Sequence, residues 1–197
     1  MTEAPVPLDV TLRSESKTIW ITGLSGAGKT TLAYEITRRL RASGTAVVML
    51  DGDQLRELFG TTEPNAINYG REGRLALAMK YARLCRILAD QQLMIVISTI
   101  SLFQEVHEWN RIHIPGYFEV YLRVPMDELR RRDPKDIYRR FDSGEVRHVA
   151  GLDLPVDEPV NPDVLIEYDP GRPVEVVAAE VLGELSRRRG TRRPGGV

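Results

Sequence analysis

Gly23-Leu24-Ser25-Gly26-Ala27-Gly28-Lys29-Thr30 places a cation and a hydroxyl directly after a glycine-rich turn. The run fits G-x-x-x-x-G-K-[ST], a loop whose successive backbone N–H groups turn inward onto phosphate oxygens. An apolar run, Thr18-Ile19-Trp20-Ile21, leads into it, and Thr31-Leu32-Ala33-Tyr34-Glu35-Ile36 leaves it with helical spacing. The helix start therefore aims its positive end at the same phosphates. Lys29 is placed to neutralise the β- and γ-phosphates, and the Thr30 hydroxyl to ligate Mg²⁺. Gly23 through Thr31 form the expected nucleotide cradle, with ATP and Mg²⁺ as its cofactors.

Leu50-Asp51-Gly52-Asp53 ends a second apolar run. Strand ends line the ligand crevice of open α/β sheets. Two carboxylates one residue apart can divide two tasks there. Asp51 can hold Mg²⁺ through water, and Asp53 can accept the proton of an attacking hydroxyl. A turn capped by Asp is the plain alternative; the neighbouring phosphate loop favours chemistry. No acidic residue ends the run at 93–99, so Asp51 stands in for that metal anchor.

These residues need a scaffold. Strand-like stretches at 18–22, 46–50, 93–99, 117–123 and 164–167 alternate with helical patterns at 29–42, 54–59, 72–91, 105–112, 126–132 and 174–188. The alternation predicts an α/β fold of the P-loop NTPase type. Its five-stranded parallel sheet is flanked by helices, as in nucleoside monophosphate kinases. The runs at 46–50 and 93–99 are nearly all apolar, the pattern of strands buried on both faces. Residues 60–69 read as a loop. The stretch 133–161 is charged, rich in Gly and Pro and lacks periodicity; it is expected to be a mobile lid over the nucleotide.

The chain has 197 residues and a net charge of −1. One kinase domain is expected over 17–189, between a flexible segment at 1–16 and a disordered basic tail at 190–197. The balanced charge argues against nucleic-acid binding, and no run is long enough to cross a membrane. Residues 1–16 are polar and acidic, unlike a signal peptide. Cys85 is the one cysteine, so no internal disulfide can form. It sits among Leu84, Ile87 and Leu88 and is expected to be buried, which fits a reducing cytoplasm. Trp20 is expected in the core and Trp109 in helix packing. His107, His113 and His148 lack metal-ligand spacing.

Over residues 19 to about 163 the chain resembles the adenylylsulfate kinase family. The likeness rests on 21–31, on Leu50-Asp51-Gly52-Asp53 with Leu55-Arg56, and on Ile100-Ser101. It rests most on Arg132-Asp133-Pro134-Lys135, Tyr138, Gly144-Glu145, Gly151-Leu152-Asp153, Pro155, Glu158-Pro159 and Asn161-Pro162. The resemblance implies transfer of the ATP γ-phosphate to the ribose 3′-hydroxyl of adenylylsulfate. Asp53 is then the base, with Lys29 stabilising the transferred group. Arg56 and Arg74 grip the acceptor, Ile100 and Val149 border it, and Arg132 and Lys135 lie near the nucleotide. Ser101 matches a serine that is phosphorylated in the family, although in-line transfer needs no enzyme nucleophile. The family is often dimeric, which implies a homodimer.

The departures fall on the acceptor side. The family's lid step Phe-Thr-Gly reads Val149-Ala150-Gly151, and the matching second aromatic is missing. Leu77 replaces an Asn, and Ile-Ser-Pro-x-Arg becomes Ile100-Ser101-Leu102-Phe103-Gln104. Stacking on an aromatic contributes about 1–3 kcal/mol per base. The stretches 55–60 and 100–111 resemble a branch that includes a cytidine diphosphoramidate kinase of surface-polysaccharide modification, and a pyrimidine needs a smaller base pocket. The expected function is an ATP-dependent kinase acting on a small-molecule nucleotide acceptor, either adenylylsulfate or a cytidine diphosphoramidate-type conjugate. A nucleotide-binding regulator that does not catalyse is the alternative of another class.

Overall fold

A computed structural model describes residues 18–59 and 70–191, with side chains through residue 188. The segment expected to be flexible at 1–16, the loop expected at 60–69 and the tail beyond 191 lie outside the described residues. The described elements run β1 (Thr18–Thr22), α1 (Lys29–Ala42), β2 (Val47–Asp51), α2 (Gly52–Leu58), α3 (Arg71–Asp90) and β3 (Met94–Ser98). They continue with α4 (Gln104–His113), β4 (Tyr117–Arg123), α5 (Met126–Arg132), α6 (Ile137–Asp142), β5 (Val164–Glu167) and α7 (Val174–Thr191).

The five strands are ordered β2-β3-β1-β4-β5, and every ladder is parallel. Side chains alternate across the sheet with a period of two, so the central strands feed two cores. Ile19, Ile21, Val96, Val120 and Leu122 meet Leu32 and Ile36 of α1 and Val181 and Leu185 of α7 on one face. Trp20, Ile95 and Ile97 meet Tyr81, Ala82 and Cys85 of α3 and Val106 of α4 on the other. Trp20 and Cys85 are both fully buried, as expected. Trp109 packs at the margin of the second cluster and stacks on His113 at 4.5 Å.

Three expectations need correction. β3 is buried along its whole length, but every residue of β2 is only half-buried. β2 forms one edge of the sheet, so its apolar composition does not report two covered faces. The 133–161 stretch is also not structureless. It contains α6, started by the Asp133 carboxylate, which accepts from the N–H groups of Tyr138 and Arg139 at 3.2 and 2.9 Å. Tyr138 is 1% exposed and donates its hydroxyl hydrogen to the Ser25 carbonyl at 2.8 Å. A helix of six residues completes fewer than two turns, too short to show periodicity. At the other end α7 reaches Thr191, past the point where the tail was expected to begin.

Among the described residues no helix is long and apolar enough to cross a membrane. The strand order reverses around β1, which places the open crevice at the carboxyl ends of β1, β2 and β3.

Candidate active site

The turn between β1 and α1 is built from conformations that suit glycine. Gly23, Gly26 and Gly28 have φ of 150°, 80° and 93°. A Cβ on Gly23 would meet the Leu122 carbonyl oxygen at 2.7 Å, so the loop can pass β4 only without a side chain there. Gly28 is the N-cap of α1, with no side chain capping that end. The first N–H groups of α1 therefore face the crevice, the arrangement that binds anions.

Ser25, Gly26, Gly28, Lys29, Thr30 and Thr31 line a cavity of about 430 Å³ together with Asp51, Asp53, Arg56, Ile100, Arg132 and Lys135. The structure thus brings most of the expected cradle to one place. Three expected members stand apart from this cavity. Gly23 serves the close approach to β4. Leu24 packs toward Gly151, where an added Cβ would meet Leu24 Cδ1 at 2.9 Å. Ala27 is buried and lines an adjoining cavity instead.

Lys29 Nζ donates to the Leu24 carbonyl at 2.8 Å. Its pKa is lowered to about 8, first by burial and then by the nearby charge of Lys135, against the pull of Asp53 and Asp51. A lysine held this way gains from an incoming polyanion. Thr30 Oγ1 donates to Asp51 Oδ2 at 2.8 Å, and Ser98 Oγ donates to the same oxygen at 2.7 Å. The Asp53 N–H donates to Asp51 Oδ1 at 2.9 Å. Burial pushes the Asp51 carboxyl up, but these bonds from Ser98, Thr30 and Asp53 outweigh it and hold it below the ordinary range. Asp51 is thus an ionised oxygen donor beside a hydroxyl, which is the ligand chemistry that Mg²⁺ accepts. Ser98, at the end of β3, was missed by the sequence reading; its signal was the absence of an acid at that strand end.

Asp53 lies in the first turn of α2. It forms an ion pair with Lys135, and both side chains line the cavity. Arg132 lines the same cavity and donates to the Gly26 carbonyl at 3.2 Å.

A second, tighter pocket of about 40 Å³ opens beyond Arg56, Thr99 and Ile100, which line both spaces. Arg74, Leu77, Ala78, Tyr81, Ser101, Leu102, Phe103, Ala150, Leu154, Pro155 and Val156 complete its wall. Arg74 Nη2 donates to the His148 carbonyl at 2.7 Å, joining α3 to the 133–161 segment. Ser101 has φ of 28° and is 6% exposed, and its hydroxyl lies 2.8 Å from that of Thr99. It borders this pocket and not the phosphate cavity. Val149 is 3% exposed, belongs to the first core cluster and lines neither space. Its N–H and that of His148 are held by the Asp153 carboxylate at 2.6 and 2.8 Å. The turn after it presents Ala150 to the pocket in its place.

A third cavity, of about 250 Å³, adjoins the loop through Gly28, Thr31 and Arg132. Val124, Tyr168, Asp169 and Arg172 line it, with the Arg132 guanidinium 4.8 Å from the centre of the Tyr168 ring. These residues also escaped the sequence reading. They follow β4 and β5, so the rule that ligands gather at strand ends could have found them.

The chain matches the family described as Adenylylsulphate kinase over residues 15–167. A cytidine diphosphoramidate kinase of Campylobacter jejuni is 38% identical over 141 residues, covering 72% of this chain and 80% of that one. A probable adenylyl-sulfate kinase of Pyrococcus abyssi is 35% identical over 176 residues, covering 87% of this chain and 99% of that one. The solved structure of the Mycobacterium tuberculosis APS kinase in complex with AMPPNP and APS superposes with a TM-score of 0.77 at 31% identity, over 87% of this chain and 98% of that one.

Proposed function

The chain belongs to the adenylylsulfate kinase family, and from that premise we propose that it moves the γ-phosphate of ATP to the ribose 3′-hydroxyl of a nucleotide conjugate. The observation that carries this reading is the meeting of Lys29, Thr30, Asp51 and Asp53 around one cavity. The loop N–H groups and Lys29 hold the triphosphate and stabilise charge on the transferred group. Thr30 and Asp51 hold Mg²⁺, which neutralises phosphate charge when bound. Asp53 orients the acceptor hydroxyl and takes its proton. Lys135, now paired with Asp53, turns to phosphate when ATP fills the cavity. The third cavity takes the ATP base between Arg132 and the residues after β5.

The acceptor enters the tighter pocket, gripped by Arg56 and Arg74. Two acceptors are named by the relatives, adenylylsulfate and cytidine diphosphoramidate. The burial of Val149 and the narrow pocket favour the cytidine conjugate: no aromatic stands at the family's lid position, and a smaller pocket suits a pyrimidine. Incubating the protein with Mg·ATP and each conjugate, then weighing the product, tests this. A phosphorylated conjugate with matching ADP supports the reading. Tight ATP binding without transfer to any conjugate replaces it with that of a regulator. ATP use fits a cytoplasmic protein. A homodimer is expected, and sedimentation measures it.

A further inference from the structure

We propose that His107 is a positioning residue for the acceptor, acting through the backbone carbonyl of Asp157; this rests on the kinase reading above. The lining of the tighter pocket draws Leu102–Phe103 from one segment and Pro155–Val156 from another. Asp157 follows the second segment directly and ties it to the first. Its N–H donates to the Leu102 carbonyl at 3.0 Å. Its Oδ2 accepts from the Gln104 N–H and from Arg71 Nη2, each at 3.3 Å. Its carbonyl accepts from His107 Nε2 at 3.2 Å. A carbonyl can only accept, so Nε2 carries a hydrogen.

His107 is itself fixed from below. It is 8% exposed, and Nδ1 lies 2.6 Å from Glu119 Oε1 on β4. Glu119 is 2% exposed and already accepts from the Tyr117 hydroxyl at 2.7 Å and from Arg111 at 3.0 Å. The carboxylate thus has other partners, while the second ring nitrogen reaches a segment 50 residues away. The ring transmits the position of the rigid sheet to the knot at Asp157, and the knot sets the width of the acceptor pocket. Arg71 braces the knot from outside; it also bonds Glu105 at 3.0 Å and lies over the Phe103 ring at 5.5 Å.

Two replacements separate this role from a merely structural one. His107→Gln puts an amide donor near the position of Nε2 and keeps the bond to Asp157. His107→Asn puts its donor near Nδ1 and keeps only the bond to Glu119. The variants are assayed with ATP and each of the two conjugates, and their melting temperatures are measured. The wild-type protein is measured first, so that absent turnover with both conjugates counts against the kinase reading alone. We expect His107→Asn to raise the acceptor KM about tenfold, the order one buried hydrogen bond carries, with kcat and the KM for ATP unchanged. His107→Gln should keep the acceptor KM and lose thermal stability. The reverse order, or equal loss in every constant, overturns the proposal. If neither variant folds, Arg71→Gln at the exposed rim decides: a rise of about threefold in acceptor KM at constant melting temperature supports the knot, and an unchanged KM overturns it. Amide hydrogen exchange at Asp157 gives a readout without turnover; it should quicken in His107→Asn, and wild-type protection there overturns the proposal.

Discussion

The phosphate end of the crevice and the end proposed for the acceptor hold their residues by different means. At the phosphate end, one turn and the helix start that follows it supply Ser25, Gly26, Gly28, Lys29, Thr30 and Thr31 to a cavity of about 430 Å³. The geometry of that side is local, fixed by three glycines with positive φ and an uncapped helix, while Asp51, Asp53 and Lys135 close on it from elsewhere. At the acceptor end, Arg56, Leu77, Tyr81, Phe103 and Leu154 come from separate parts of the chain to enclose about 40 Å³. That pocket depends on how α2, α3, the start of α4 and the 133–161 segment pack together. A local device can survive while its surroundings change. A packed pocket follows every substitution around it, so a change of acceptor is recorded there first.

The sharpest way to break this contrast is to attack the shared boundary, where both ends contribute to one reaction. Asp53→Asn keeps the shape of α2 and removes the carboxylate proposed to take the proton. Its kcat should fall by about a thousandfold or more, with ATP affinity kept, as measured by steady-state turnover and by equilibrium binding. Lys29→Ala should lose turnover to the same extent and lose ATP affinity as well. An active Asp53→Asn enzyme would detach the acceptor end from the chemistry proposed for it.

Asp51 tests the phosphate end alone. Asp51→Asn removes the charge that Thr30 and Ser98 both address. Turnover should fall by about a hundredfold, and the Mg²⁺ concentration giving half-maximal rate should rise. Ser98→Ala deletes one of two hydroxyl donors and should cost only a few-fold. Equal losses in the two variants would mean that Asp51 acts through its structure and not through the metal.

The same contrast explains what could be read from the chain beforehand. The loop, the alternation of strands with helices and Asp51-Gly52-Asp53 are signals carried by contiguous stretches, and the structure holds a five-stranded parallel sheet with the loop and the two carboxylates at its strand ends. Bounds of β2 and β3 moved by a residue at each end at most, since strand ends depend on ladder pairing that the sequence does not display. The edge position of β2 was invisible because composition reports apolarity and not which neighbours cover it. α6 was hidden by its brevity. Tyr81, Phe103, Ser98 and Tyr168 were missed for a common reason: each belongs to the site through a fold-level meeting, with no spacing of its own. Val149 errs the other way. Its sequence position matches the family's stacking aromatic, yet its side chain is buried in the core.

Val149→Phe sharpens that last point. If position 149 could face the acceptor, an aromatic there would restore stacking and favour an adenine conjugate. In this packing it has no room, and the larger ring should destabilise the protein by about 1–3 kcal/mol, read by denaturant unfolding, with no gain for adenylylsulfate. A stable variant with improved adenylylsulfate turnover would show that the acceptor end can be reset by one residue.

The smallest expected effect concerns the charge of Lys29. Its pKa is lowered to about 8 by burial and then by Lys135, and triphosphate binding favours its charged form. Affinity for ATP should therefore be fully present below about pH 8 and fall as pH rises through it, by roughly fivefold between pH 8 and 9. Titration of the terminal phosphate lies lower, near pH 6, and does not enter this window. Lys29→Arg, which stays charged, should give a flat profile whatever its absolute affinity. Lys135→Gln should move the inflection upward: it removes a neighbouring cation and leaves Asp53 free to favour the Lys29 charge, two effects of one sign. A shift downward would mean that Lys135 supports Lys29 instead of opposing it, and the two lysines would then belong to one phosphate grip even before nucleotide arrives.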